Sequence, residues 1–270
     1  MEKAALNIGH TMYLVDAFTD VPFKGNPAGV CVVDEYPSDA EMQRLAHYFR
    51  WAEISFVKRL GGNDFYIRWF SPNDEAPICG HATMAASHVL FSKGLVSENV
   101  VNYQFNSGEL HATRNDDVIT MDFPAKPVQK CATFPFSVSK VIGIKSYKEV
   151  VKDDLIYVIV LNLKEDVFNA VPNVDEIKQV DCRAIAITAP GDENFDIYSR
   201  YFPPKIGVNE DQVCGSMHCR LACYWHSITG KTVFRAFQAS RRTGVLHVEY
   251  AGDRVKLSGK AYTVCEFKVP

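Results

Sequence analysis

A chain of 270 residues can form one large or two medium domains, and 47% hydrophobic with 23% charged residues is the composition of a soluble globular protein. A formal net charge of −3 gives no electrostatic footprint for nucleic acid or an anionic membrane surface. No apolar run is long enough to span a bilayer, and eight cysteines in a chain of this size do not make a disulfide scaffold.

Residues 1–10 read as a polar lead-in. Residues 1–6 lack the long apolar core of a signal peptide, so a cytoplasmic protein is expected. Residues 12–18 read as a buried strand, 19–29 as a loop rich in turn formers, and 30–33 as a second strand. Ser38 or Asp39 can cap a helix that carries Met42, Leu45, Ala46 and Phe49 at helical spacing. In the strand that follows, Ile54 and Phe56 share one face, and Glu53, Ser55 and Val57 the other. Glu53 is thus an acid among apolar neighbours. It is either a carboxylate at the rim of a sheet or, if buried in a cleft, a group that desolvation tunes toward neutrality for acid–base work.

Residues 64–70 form a strand after a Gly61-Gly62-Asn63 turn, and a helix opens at Cys79-Gly80 and ends at Lys93-Gly94. Residues 100–106, 109–114 and 118–123 alternate as three strands, and 124–127 is a linker. Beyond it, a short helix ends at Gly143, 155–163 is an apolar strand, and 174–179 is helical. Residues 184–188 and 195–202 are strands, a second Cys-Gly helix follows, and strands 234–238, 244–250, 254–257 and 263–269 close the chain. This predicts an α+β protein with an N-terminal half at 8–125 and a C-terminal half at 128–270, the last strand packing back on the first half. Cys214, His218, Cys219 and Cys223 cluster, but their spacing fits no common zinc pattern, so no metal is expected.

The two helix starts are related. Cys79-Gly80-His81-Ala82-Thr83 is echoed by Cys214-Gly215-Ser216-Met217-His218, 135 residues later, half the chain length. Tyr66-Ile67-Arg68-Trp69-Phe70 resembles Tyr198-Ser199-Arg200-Tyr201-Phe202, Glu75 matches Glu210, and Gly108-Glu109-Leu110-His111 matches Gly244-Val245-Leu246-His247. Self-similarity in fixed order at a long period points to duplication, hence to two like domains with a ligand cleft where they meet. Backbone N–H groups at a helix start have no helical partner and favour negative charge, so each turn is a candidate anion site.

These residues carry a family resemblance. Val15-Asp16-Ala17-Phe18 through Gly25-Asn26-Pro27-Ala28 resembles the opening motif of the phenazine-biosynthesis (PhzF-like) isomerase family. Ala52-Glu53-Ile54-Ser55-Phe56 is similar to its Ser-Glu-Thr-Ala-Phe segment, and Cys79-Gly80-His81-Ala82-Thr83 matches its first helix turn. Gly207 through His218 resembles its second turn, with Gln212, Cys214 and Met217 where the family usually has Pro, Thr and Ala. The resemblance implies the diaminopimelate epimerase-like fold: two pseudo-symmetric halves, each a curled, mostly antiparallel sheet around a central helix. It also implies chemistry without a cofactor on a small carboxylate substrate, and a homodimer.

Residue by residue, the resemblance implies Glu53 as the acid/base that moves a proton between carbons, with His81 and Asp211 as catalytic partners that line the inter-domain cleft beside it, bind substrate and assist proton transfer. Ser216 and the amides around Gly80 and Gly215 would hold the substrate carboxylate, and Asn26 and Met217 would join the binding surface. His81, Asp211 and Ser216 each have a plainer reading as local caps of a helix start. Cys79 and Cys214 at matched positions raise an alternative, an amino-acid racemase or epimerase in which two thiols work on opposite faces of one carbon. A third reading is a binding protein that kept the fold without the chemistry.

Overall fold

The computed structural model describes residues 10–269, so most of the lead-in read at 1–10 and the expected start at residue 8 lie outside the described residues. The chain divides into two compact units: unit 1 runs up to Asp122 and resumes at Ser258, and unit 2 is Phe123–Leu257.

Unit 1 contains β1 (His10–Ala17), β2 (Asn26–Val33), α1 (Asp39–Phe49), β3 (Glu53–Gly61), β4 (Asp64–Phe70), the two-residue β5 (Glu75–Ala76), α2 (Gly80–Ser92), β6 (Val100–Phe105), β7 (Gly108–Asn115) and most of β8 (Val118–Pro124). β1 pairs antiparallel with β2 on one side and with the chain's last strand on the other. β2 runs parallel to β3, β3 antiparallel to β4, β4 parallel to β6, and β6 to β8 form a meander. The loop read at 19–29 is shorter than expected, because β2 begins at Asn26 rather than at residue 30 and pairs with β1 from Ala17↔Asn26 onward. Ser38 is the N-cap of α1 and forms a capping box with Glu41. α2 lies against β1, β2 and β3, with ten of its thirteen residues buried. A helix apolar nearly all round belongs inside a fold, and Ala82, Ala85 and Ala86 let it approach the sheet.

Unit 2 contains β9 (Gln129–Lys130), α3 (Val138–Ile142), β10 (Glu149–Lys152), β11 (Ile156–Val160), α4 (Lys164–Asn169), α5 (Val174–Gln179), β12 (Ala184–Pro190), β13 (Ile197–Phe202), α6 (Gly215–Thr229), β14 (Val233–Gln238), β15 (Gly244–Ala251) and most of β16 (Arg254–Gly259). The closing strand β17 (Ala261–Val269) belongs to unit 1. β11 runs parallel to β12, β12 antiparallel to β13, β13 parallel to β14, and β14 antiparallel to β15. Val150, Ile159, Ile177, Ile187 and Phe202 are among the side chains of the unit 2 core.

The succession parallel, antiparallel, parallel, antiparallel is the same in β2-β3-β4-β6-β7 and in β11-β12-β13-β14-β15. In each unit the long buried helix follows the third of these strands. The duplication reaches side-chain detail. The Arg68 guanidinium donates to both carboxylate oxygens of Glu75 at 2.8 and 2.7 Å, and Arg200 does the same to Glu210 at 2.7 and 3.0 Å. Each guanidinium also lies 5.1 Å from the centre of the aromatic ring two residues on, Phe70 or Phe202. The molecule therefore has two pseudo-symmetric α+β halves, each a mostly antiparallel curled sheet with a helix at its centre.

Candidate active site

Glu53 is the first residue of β3, and its position is set by the corner that precedes it. α1 ends at Arg50 in the left-handed conformation (φ 54°), and the chain turns through Trp51, which stacks on Phe49 with ring centres 4.6 Å apart. Gly29 of β2 faces this corner. A Cβ there would come within 2.7 Å of the Trp51 ring and 2.9 Å of Ile54, so the corner packs on bare backbone. One residue beyond Ile54, the Ser55 hydroxyl donates to the Ala82 carbonyl at 2.9 Å and ties β3 to the first turn of α2.

That tie brings Glu53 to His81. Oε2 of Glu53 and Nε2 of His81 are 3.1 Å apart, with side-chain exposures of 22% and 9%. The separation is that of an ion pair, although the ring N–H is not aimed along the line well enough for a directed hydrogen bond. On the other side of the imidazole, Nδ1 lies 3.5 Å from the Cys79 sulfur. Glu53, Cys79 and His81 thus form one cluster, with a donor atom from each within 4.8 Å of the others.

Cys79 is the N-cap of α2, in extended conformation and with no side-chain cap bond. The first turn carries no acidic residue, so the positive end of the helix dipole at Gly80 is not offset within the helix. Thr83 fixes the turn: its hydroxyl donates to the Cys79 carbonyl at 2.6 Å and accepts from the Trp69 indole at 3.1 Å. Burial, and after it the Glu53 carboxylate, push the Cys79 thiol up, with His81 pulling the other way. Burial alone would lower His81. The Cys79 sulfur and the Glu53 carboxylate outweigh it and hold the imidazole well above its ordinary range. The arrangement is an imidazole between a carboxylate and a thiol.

Unit 2 builds its own turn. Asp211 forms an isolated bridge with Tyr201, donating its N–H to the Tyr201 carbonyl at 3.0 Å. The Cys214 amide donates to Gln238 Oε1 at 2.9 Å, and the Gln238 amide group donates to the Asp211 carbonyl at 2.7 Å. Cys214 caps α6, and its sulfur lies 3.4 Å from the Ser216 hydroxyl. Burial and the Asp211 carboxylate push this thiol up as well. Ser216 is exposed, whereas Gly215 and Met217 are buried. His218 is fully buried: its Nδ1 donates to the Cys214 carbonyl at 2.8 Å and its Nε2 accepts from Ser199 at 3.3 Å, which fixes a neutral tautomer. Cys219 lies in the core, and the Cys223 thiol donates to its carbonyl. Asn26 opens β2, buried, opposite Ala17.

Ser55, Thr83 and Gln238 are structural determinants that sequence reasoning does not single out. Ser55 shares a strand face with Glu53, which is a usable signal. Gln238, a polar residue in an apolar strand and fully buried, is another.

The family model described as "Phenazine biosynthesis-like protein" matches residues 15–267. An uncharacterized isomerase of Pseudomonas aeruginosa is 40% identical over 251 residues, 93% of this chain and 95% of that protein. A crystal structure of a PhzF-family phenazine biosynthesis protein from Enterococcus faecalis superposes with a TM-score of 0.91 at 32% identity, covering 97% of this chain and 99% of that one. The structure titled a "Predicted Epimerase" from Pseudomonas aeruginosa shares the fold, with a TM-score of 0.74 at 18% identity over 96% and 99% of the two chains.

Proposed function

The chain belongs to the phenazine biosynthesis-like protein family, and we propose that within it this protein is a cofactor-independent isomerase that moves a proton between carbons of a small carboxylate substrate, with Glu53 as the acid/base. The observation that supports this reading is the 3.1 Å contact between Glu53 and the buried His81. A carbon acid needs a base held in a poorly hydrated place and a fixed positive charge near the negative charge that develops. Glu53 accepts a proton from one carbon and returns it to another carbon of the same molecule, so the substrate changes in connectivity and not in composition. His81 supplies the adjacent positive charge and steadies the carboxylate through both transfers. Asp211 takes the role the family resemblance implies, binding substrate and assisting proton transfer, and Ser216 holds the substrate carboxylate.

The two-cysteine alternative has one feature in its favour, since Cys79 and Cys214 cap related helices. Burial, however, pushes both thiols up and away from the thiolate that such a mechanism requires near neutral pH.

The test is solvent isotope exchange. Candidate cyclic and conjugated acids are incubated with the enzyme in deuterated water, and label in a substrate carbon is read by mass spectrometry and NMR. Glu53→Gln is expected to abolish the label, while Cys214→Ala retains it. Label that survives Glu53→Gln and disappears in Cys214→Ala would sink the Glu53 mechanism in favour of the two-thiol one.

A further inference from the structure

We propose that Glu53, Cys79 and His81 form a binding site for a divalent zinc-class metal ion, which acts on this protein as a reversible inhibitor. Three observations carry the proposal: the donor types, their spacing and their access.

A thiol, an imidazole and a carboxylate converge here, with donor atoms within 4.8 Å of one another. This combination suits zinc or cobalt, whereas magnesium and calcium prefer all-oxygen sites. Zinc–sulfur bonds of about 2.3 Å and zinc–nitrogen bonds of about 2.0–2.1 Å at a tetrahedral angle place the two donors about 3.5 Å apart. The Cys79 sulfur and His81 Nδ1 are already 3.5 Å apart. The cation enters between them, and the Glu53 carboxylate leaves its contact with Nε2 on the other side of the ring to complete the site. Cys79 and His81 sit on one rigid helix start, pinned by Thr83 and by the tie from Ser55 to Ala82, so little has to be ordered on binding. The partly exposed Glu53 carboxylate is the way in, and the fourth position is left to water.

The proton balance follows from the ligands. When the metal–sulfur bond forms, the Cys79 thiol releases its proton to solvent, and any proton on the coordinating ring nitrogen leaves as well. Binding therefore weakens as the solution is made more acid.

The metal-free protein is titrated with cobalt(II) and followed by absorption, then back-titrated with zinc. One equivalent is expected to give a thiolate-to-cobalt charge-transfer band with the strong visible bands of four-coordinate cobalt, all erased by zinc. Cys79→Ser should remove the charge-transfer band, whereas Cys214→Ser and Cys219→Ser keep it. Glu53→Gln, which preserves shape, should weaken binding by about tenfold or more. A weak six-coordinate spectrum, a charge-transfer band that survives Cys79→Ser, or undiminished affinity in Glu53→Gln would each overturn the site.

Inhibition alone rests on the proposed function. Zinc that binds with this signature yet leaves deuterium exchange unchanged would keep the metal site and remove Glu53 from the mechanism. Absence of binding with Glu53-dependent exchange would do the opposite.

Discussion

The two buried histidines show how position, at the scale of single residues, decides what a side chain does. His81 is the second residue of α2 and meets the Cys79 sulfur and the Glu53 carboxylate, so it is held above its ordinary range. His218 is the fourth residue of α6, meets only a carbonyl and a hydroxyl, and is pushed down by burial to about 4. The unfolded chain takes up a proton at His218 well before the folded one does. Its contribution to stability is therefore complete above about pH 6.5 and is lost as pH falls from there toward 4, by roughly 3 kcal/mol over the window. Thermal midpoints measured across this range should fall with acidity, and His218→Asn, which keeps a donor for the Cys214 carbonyl, should flatten the slope. An unchanged slope in His218→Asn would assign the acid sensitivity elsewhere. Sequence alone names Glu53, Cys79 and His81 as candidates, but nothing in the spacing of residues 53 and 81 says that they touch. Their contact is made by the Ser55–Ala82 bond and by the packing of α2 on β3, which are tertiary facts.

Among the elements, the matched Arg–Glu pairs carry a quantitative expectation. Both are partly buried and bidentate, so removing the cation strands a carboxylate that has lost much of its water. Arg68→Met and Arg200→Met should each cost about 1–3 kcal/mol, less than a fully buried pair because Glu75 and Glu210 retain some solvent. Arg200→Met should be the costlier, because Arg200 also donates to the carbonyls of the buried Val167 and Ala170, whereas the further bond of Arg68 goes to the exposed Asp39 carboxylate. Equilibrium unfolding of the two variants checks the ranking, and a larger loss at Arg68 would contradict it. Elements with a strong period are legible in the sequence itself: α1 with its Ser38 cap, β3, the two Cys-Gly helices and the hairpins of unit 1. Those that escape it are short. β10 has four residues beside Lys148, Asp153 and Asp154, and α4 has six residues with only Val167 buried. Neither shows enough of its period to be read.

For the whole molecule, the path of the chain matters most. The last strand, β17, pairs with β1 from His10↔Val269 to Ala17↔Ala261, so unit 1 is completed by residues more than 130 positions beyond Asp122. A chain that stops at Lys260 leaves β1 without one neighbour and uncovers part of α2, which lies against β17. Hydrogen exchange of that truncated chain should show protection lost in β1 and α2 and kept in β11 to β13. Uniform loss, or none, would show that β17 is not what completes unit 1. Duplication at this scale is legible from the repeated motifs, because Gly turns and Arg–Glu pairs leave residue-specific marks. The strand pairings that close each sheet leave no such marks.

The fourth helical position of the two turns records what became of the copies. Thr83 in one and His218 in the other both donate to the carbonyl of the capping cysteine, at 2.6 and 2.8 Å. A threonine and a histidine have thus inherited the same mechanical duty, and His81, which meets Glu53, sits two places earlier in only one of them. A doubled gene needs both copies to stand up, so the residue at this position could change as long as the strut to the cysteine carbonyl was replaced by an equivalent. Ancestral reconstruction that swaps Thr83 and His218 as a unit, leaving His81 alone, would measure how much of the divergence between the halves was neutral.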